Sequence, residues 1–523
     1  SIDLNTFSFG NVKNMSHMFD LCKNLVEIKF PNSPVTLNLE NMEYMFSNCI
    51  NLTNVDISKF DTAKVTNMNS LFKNCQSLKS ININGLDISH LINMGSMFQS
   101  CKSLKSLNLS SFVTTSVKFM NDLFHDCINL ESIDFSEFKT NNVIKMESMF
   151  ENCESLTKID LNHFYTPSLR HMASIFSGCK IARNIYISNF DTFQVTNFAN
   201  VFYNCHSLEK IEVGHLVTNM ASDMSQMFFN CSTLTSLDIS NFNVIRVLKM
   251  NSMFQGCSKL SSITNINFKN YEVLDMNHMF DGCSGLTELN LLKFFTNSVE
   301  NMNSLFSRCS NLKILNLTKF NTQNVLNMHS LFYGCSSLTS IIISSLFNTA
   351  KVVDMGYMFY DCSSLTEIDL SNFDTKNVET FDSMFYNCRS LKSLSLSSFE
   401  TPKANSMNSM FHGCSFIETI NLNKFDTKKV LYMEGIFYGC KSLIELNISN
   451  FNVIKVNSLS HMFYECSSLT SINLPNLRFL HAVSTTYMFA GCSSLTSLNL
   501  TKFDGYCVED MDYMFSGCSY LTN

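Results

Sequence analysis

The chain has no tryptophan, and only 5 prolines and 16 glycines in 523 residues. Charge is scarce too: 15% of residues are charged, against roughly a quarter in ordinary domains. The net charge is −7 with no basic block, which excludes the electrostatic footprint of a nucleic-acid binder or of a protein drawn to an anionic membrane surface. No stretch approaches 18 consecutive apolar residues, so no membrane insertion is expected within this segment, and Ser1 does not open a signal peptide. An export signal or anchor would have to lie outside these residues. Also lacking are a glycine-rich phosphate loop and the closely spaced Cys or His pairs that hold zinc. The 12 histidines scatter over the chain, and those in phase, such as His17, His278 and His461, stand far apart in sequence. With no convergent acid, base and nucleophile, an enzyme is not expected, nor any cofactor or metal.

What is present is a period. Twenty of the 21 cysteines, from Cys22, Cys49 and Cys75 through to Cys492 and Cys518, recur every 26 residues, with two intervals of 27. A fixed period in this range marks stacked repeats that bury a shared core. It predicts one continuous solenoid over residues 1–523, of about twenty rungs and expected to be part of a longer array, in place of the three or four globular domains that length alone suggests. With 47 Phe and 30 Met the core is ample.

One rung shows the pattern. Met68, Leu71, Phe72 and Cys75 stand at i, i+3, i+4 and i+7, which predicts a helix of about two turns. Asn67 is placed to cap it, and Asn74 or an equivalent Gly to end it. Leu78, Ile81 and Ile83 follow as L-x-x-L-x-L, whose last three positions alternate as a short strand does. A Phe such as Phe60 or Phe503, often with Asp-Thr, then turns the chain toward the next helix. The expected fold is an α/β leucine-rich repeat solenoid, a short parallel strand plus a short helix per rung, without terminal caps. Both extra residues fall between strand and helix, near Pro31 to Pro34 and near Ser344 to Thr349.

The string M-F-x-x-C-x-S-L-x-x-L-x-L-x-x-F, repeated over essentially the whole chain, resembles the cysteine-containing repeats of the BspA-type leucine-rich repeat surface-protein family. Phe stands three before every ladder Cys, and Leu three after it except at Ala182 and Ile417. The resemblance implies a solenoid displayed at a cell surface, often concerned with adhesion. It names no ligand.

Three roles compete for the ladder cysteines: disulfides, metal ligands and buried thiols. Their in-register side chains run parallel within an apolar stripe, which favours small buried hydrophobes. Cys507 falls outside the ladder, at a phase held elsewhere by Lys64, Asn142 or Lys455, and is the candidate reactive thiol.

The outward strand positions form a candidate binding face: Asp56, Asn82, Asn108, Asp134, Asp160, Asp238, Asn290, Asn316, Asp369, Asn421, Asn447, Asn473 and Asn499. Short polar groups repeating at roughly 4.8 Å suit a glycan, another protein surface or water. Tyr186, Ile314 and Ile342 depart from the pattern. Of the Asn-x-Ser/Thr sequons, Asn108, Asn316, Asn447 and Asn499 lie on this face and are the better glycosylation candidates. The expected protein is an extracellular or cell-surface adhesive or structural stalk, with a head-to-tail fibre or an intracellular scaffold as alternatives. Its expected partners are a protein or glycan, or copies of itself stacked end to end where Leu4, Phe7, Phe515 and Leu521 lack an outer neighbour.

Overall fold

The computed structural model describes residues 1–32, 35–269, 272–480 and 483–522. It falls into two compact units, Ser1–Val247 with Met253–Asn267, and Leu248–Ser252 with Phe268–Asn523. Ser33 and Pro34 of the first insertion, and Asn523, lie outside the described residues. The second insertion is a turn at Ser345 and Leu346.

Every rung has a strand side and a turn side. In the first unit Asn54–Asp56 pairs in parallel with Ser80–Asn82, Ser106–Asn108 with Ser132–Asp134, and Lys158–Asp160 with Asn184–Tyr186. In the second, Ile314–Asn316 pairs with Ser340–Ile342 and Glu445–Asn447 with Ser471–Asn473. Partners stand one period apart, so like faces like. The middle residue points inward and its neighbours outward, as at Leu107 and Leu446. Among the described residues the strands, each two or three residues long, group two by two and not into one continuous sheet.

The predicted short helix does not form. Ser70 has φ 55° and Asn74 φ 60°, and all twenty rungs repeat this pair of left-handed residues five and one before the ladder cysteine. A right-handed helix cannot contain them. The amides of Leu71, Lys73 and Cys75 bond three residues back, to Met68, Ser70 and Phe72, at 3.1–3.3 Å. The alternate amides of Met68, Ser70, Phe72 and Asn74 donate to Asn93, Gly95, Met97 and Gln99 of the next rung at 2.7–2.9 Å. Half of the segment therefore closes tight turns and half zips rung to rung. The physical reason is spacing. A helix is about 10–12 Å across, whereas strands pin successive rungs roughly 4.8 Å apart, and the turn side keeps nearly that pitch, with Phe46, Phe72 and Phe98 ring centroids 5.4 and 6.0 Å apart.

The apolar spacing was read correctly and its backbone was not: Met68, Leu71, Phe72 and Cys75 are all fully buried. Asn67 likewise does a cap's work without a helix, its Oδ1 accepting from the Asn69 amide at 3.0 Å. At this phase parallel bridges run from Asn14 through Asn41 and Asn67 to Asp223, and from Lys249 through Asp275 to Tyr432.

Inside, the phenylalanines three before cysteine stack face to face, as in Phe359–Phe385–Phe411 at 5.4 and 5.8 Å. The phenylalanines read as turn residues form a second buried column, as in Phe373–Phe399–Phe425 at 6.3 Å each. The Thr that follows this Phe by two, in Asp-Thr at Thr192 and Tyr-Thr at Thr166, is also buried. Thr166 Oγ1 accepts from the Asp191 amide at 2.9 Å and donates to its carbonyl at 3.2 Å. Ile88, Val244 and Val453 take that place elsewhere, the same shape without the bonds.

Candidate functional site

The ladder cysteines are free thiols. Cys49 Sγ donates to the Phe19 carbonyl of the preceding rung at 3.1 Å, and Cys127, Cys388 and Cys466 do the same to Phe98, Phe359 and Phe437 at 3.0–3.1 Å. Burial pushes the thiols of Cys49, Cys127 and Cys414 up to about 12. Such a thiol is almost never a thiolate and is chemically quiet. Its role is to fill the apolar stripe and to add a second donor to a carbonyl that already closes a tight turn, as where the Phe19 carbonyl also accepts from the Cys22 amide at 3.0 Å. Cys507 differs: it ends the 3-10 turn Gly505–Cys507, half-buried beside the 93% exposed Tyr506. Among the described residues no group of three His, Cys, Asp or Glu is placed to hold a metal, and no helix is long and apolar enough to cross a membrane.

The candidate strand-face residues are all exposed or half-buried. Their side chains have a local duty that sequence reading missed. Oδ1 of Asp56, Asn108, Asp134, Asn290, Asp369 and Asn447 accepts from the amide two residues on, at 2.9–3.2 Å. Asn82, Asp160, Asp238, Asn316, Asn421 and Asn499 do likewise at 3.0–3.4 Å. These are Asx turns that close the strand side of most rungs. The Ser136 amide and hydroxyl hold the Asp134 carboxyl below the usual range, as those of Ser371 hold Asp369. The remaining oxygen or amide group faces outward or the next rung, as where Asn82 Nδ2 donates to Asp56 Oδ2 at 3.0 Å. At the sequons Asn108, Asn316 and Asn499 the hydroxyl two residues on also donates to Oδ1 at 2.6–2.8 Å.

A second feature, on the turn side of the second unit, was not anticipated. Two residues before cysteine stand Tyr333, Tyr360, Tyr386, His412, Tyr438 and Tyr464, all half-buried. Successive rings from Tyr333 to Tyr438 stack with centroids 4.7, 4.4, 4.2 and 4.1 Å apart, and Tyr464 follows tilted at 4.8 Å. Burial between two tyrosines pushes the His412 pKa down to about 4. Beside the column, Gly435 leaves a recess of about 410 Å³ bordered by Asn408, Ser409, His412, Glu434, Tyr438 and His461. The signal was available in the sequence, as a run of aromatics at one phase.

The rungs, their leucine spacing and their two faces define a leucine-rich repeat solenoid protein. The chain belongs to the family described as "Mycoplasma protein of unknown function, DUF285", whose model matches residues 1–106, 79–186, 172–288, 222–315, 261–342, 300–420 and 405–523. No curated protein matches it significantly. Among solved structures it is similar to a leucine-rich repeat protein from Bacteroides ovatus, at 19% identity and TM-score 0.27, covering 84% of this chain and 83% of that one. A leucine-rich cell surface protein from Faecalibacterium prausnitzii gives 15% identity and TM-score 0.25, covering 82% and 84%. A leucine-rich repeat protein from Eubacterium ventriosum gives 14% and 0.24, covering 74% and 83%.

Proposed function

We propose that the chain is a non-enzymatic repeat protein at a cell surface or outside the cell, an adhesive stalk that binds protein or glycan through its strand face. The observation that carries this reading is the lattice of Asx turns, which holds short polar groups rigid and outward at the same phase in both units. Rigid, short side chains lose little entropy on binding, which suits an extended and repetitive partner. The BspA-type resemblance supports the surface location. A second reading, a structural fibre segment with no discrete ligand, draws support from the uniformity of the rungs.

Beads coated with the protein test this in adhesion to mucin, to matrix protein and to cultured cells. The comparison is the triple variant Ser106→Lys, Ser132→Lys and Ser236→Lys, which crowds the exposed face without touching an Asx turn or the core. Adhesion lost in the variant supports the strand face as the binding surface. Adhesion to none of the three surfaces sinks the adhesive reading and leaves the fibre.

A further inference from the structure

One position on the strand face of the first unit carries an aromatic side chain where its neighbours in phase are acidic. At the phase of Asp134, Asp160 and Asp238 stands Tyr186, 40% exposed. It ends the strand Asn184–Tyr186, in register with Lys158–Asp160, and its carbonyl accepts from the Leu161 amide at 2.9 Å, so strand pairing fixes its backbone. From the preceding rung, Lys158 Nζ stands over the ring, 5.2 Å from its centroid. Toward the following rung the pairing thins to a single bridge between Asn184 and Lys210. There a recess of about 240 Å³ opens, bordered by Tyr186, Asn184, Ser188, Lys210, Ile211 and Glu212. Asn162 of the preceding rung completes the wall, while Lys158 lies outside it.

The chemistry of the wall narrows the ligand. Within the wall Lys210 pairs with Glu212 at 3.7 Å, and beside it Lys158 pairs with Asp160 at 3.1 Å, so charge balances both in the recess and next to it and favours neither an anion nor a cation. Hydroxyl, amide, ammonium and carboxylate groups together donate and accept in equal measure, as a polyol requires. One aromatic face with apolar Ile211 beside it offers a flat patch for C–H groups. The volume is below the range of about 300–1,000 Å³ usual for drug-sized ligands, which limits the occupant to one ring.

We propose that this recess is a saccharide subsite, taking a single neutral pyranose at the end or branch of a glycan against Tyr186. The inference rests on the reading of the strand face as a docking surface and names one ligand class for it. Neither Tyr186 nor Glu212 is buried, so substitution at either leaves the core intact.

The test is saturation-transfer NMR on the full chain with methyl glycosides of glucose, galactose, mannose and N-acetylglucosamine. At least one glycoside is expected to receive saturation, with affinity kept within about threefold in Tyr186→Phe and reduced at least tenfold in Tyr186→Ala, a loss of about 1.4 kcal/mol. Glu212→Lys is expected to weaken it as well. No transfer to any of the four, or transfer undiminished in Tyr186→Ala, overturns the subsite. The two proposals fail separately. Beads that adhere equally well with Tyr186→Ala, with no glycoside bound, overturn the subsite and leave adhesion standing. A glycoside bound at Tyr186 by a protein whose beads adhere to nothing supports the subsite and overturns adhesion.

Discussion

Replacing Phe385 by alanine removes one member of a stacked column whose neighbours cannot move in to fill the gap. The ring is fully buried, 5.4 Å from Phe359 and 5.8 Å from Phe411, and within 8° and 3° of parallel to them. Its backbone is held independently: the amide donates to Met410 at 2.9 Å and the carbonyl accepts Cys414 Sγ at 3.1 Å. The variant therefore loses packing and keeps its hydrogen bonds. Truncating a buried Phe to Ala costs about 3–5 kcal/mol, more where the site cannot collapse. Rungs zipped on both sides put this site in the upper half of that range. The two stacking contacts, at about 0.5–1.5 kcal/mol each beyond area burial, lie inside the total. Because repeats couple to their nearest neighbours, the loss should concentrate around the altered rung. Hydrogen exchange by mass spectrometry reads it as lost protection in peptides from Met355 to Ile417, with the first unit unchanged. Ser395→Ala, on the exposed strand face of the same rung, should stay within about 0.5 kcal/mol. A Phe385→Ala effect below about 1 kcal/mol, or one equal to that of Ser395→Ala, would refute the assignment of inside and outside.

Three further outcomes are expected. Alkylation in denaturant without reductant should modify all 21 thiols by mass, and under native conditions chiefly the half-buried Cys22, Cys507 and Cys518; modification of one or none in denaturant would establish a disulfide ladder instead. His412 takes up a proton less readily folded, with its pKa at about 4, than unfolded at about 6.5, so its contribution is complete above the higher value and lost as pH falls toward the lower. Partial exposure keeps that loss under about 2 kcal/mol, and His412→Tyr, which continues the tyrosine column, should flatten the stability profile across this window. Asp281, with a side chain 1% exposed, receives two bonds from Arg308 at 2.8–2.9 Å and faces His278 Nδ1 at 3.0 Å. Burial alone would raise its pKa, yet these partners hold it below the usual range. Arg308→Ala should cost about 2–3 kcal/mol at pH 7, discounted for the exposed guanidinium, and progressively less as acid protonates the carboxyl; a loss that persists unchanged at low pH would exclude the ion pair as its cause.

The period, the inward set and the strand phase were legible because each depends on side-chain polarity, which sequence displays directly. Met68, Leu71, Phe72, Cys75 and Leu78 are all where the spacing put them. The helix was misread because i, i+3, i+4, i+7 is also the spacing that successive tight turns produce, and periodicity alone does not separate the two. The deciding fact, rung pitch, belongs to the stack and to no single rung. The strand-face asparagines and aspartates were read as solvent-facing, which holds, but their Asx-turn duty depends on backbone direction after the strand. Tyr186 stood out by phase; the recess beside it depends on a gap in pairing that no residue count reveals.

The left-handed residues turn the difference between helix and stacked turns into an experiment. Five before cysteine, the residues with positive φ include His17, Ser70, Asp122, Asn200, Ser330, Gly435 and Tyr487, and at neither left-handed phase is there a Val, Ile or Thr. That is the pattern expected where φ is positive, since a β-branched side chain collides with the backbone there. Ser330 has φ 54° and donates its amide to the Gly356 carbonyl of the next rung at 2.9 Å. Glycine at this position escapes the left-handed penalty of about 1–2 kcal/mol, against about 0.4–1 kcal/mol of extra freedom in the unfolded chain. Ser330→Gly should thus be neutral or stabilising by up to about 1 kcal/mol, and Ser330→Val destabilising by about 2 kcal/mol. In a helix the first sign reverses, because glycine is about 1 kcal/mol worse than alanine there, and Ser330→Ala would be the stabilising change. Melting of the three variants side by side separates the two architectures: Ser330→Ala above wild type and Ser330→Gly below it would restore the helix and overturn the stacked-turn account of the rung.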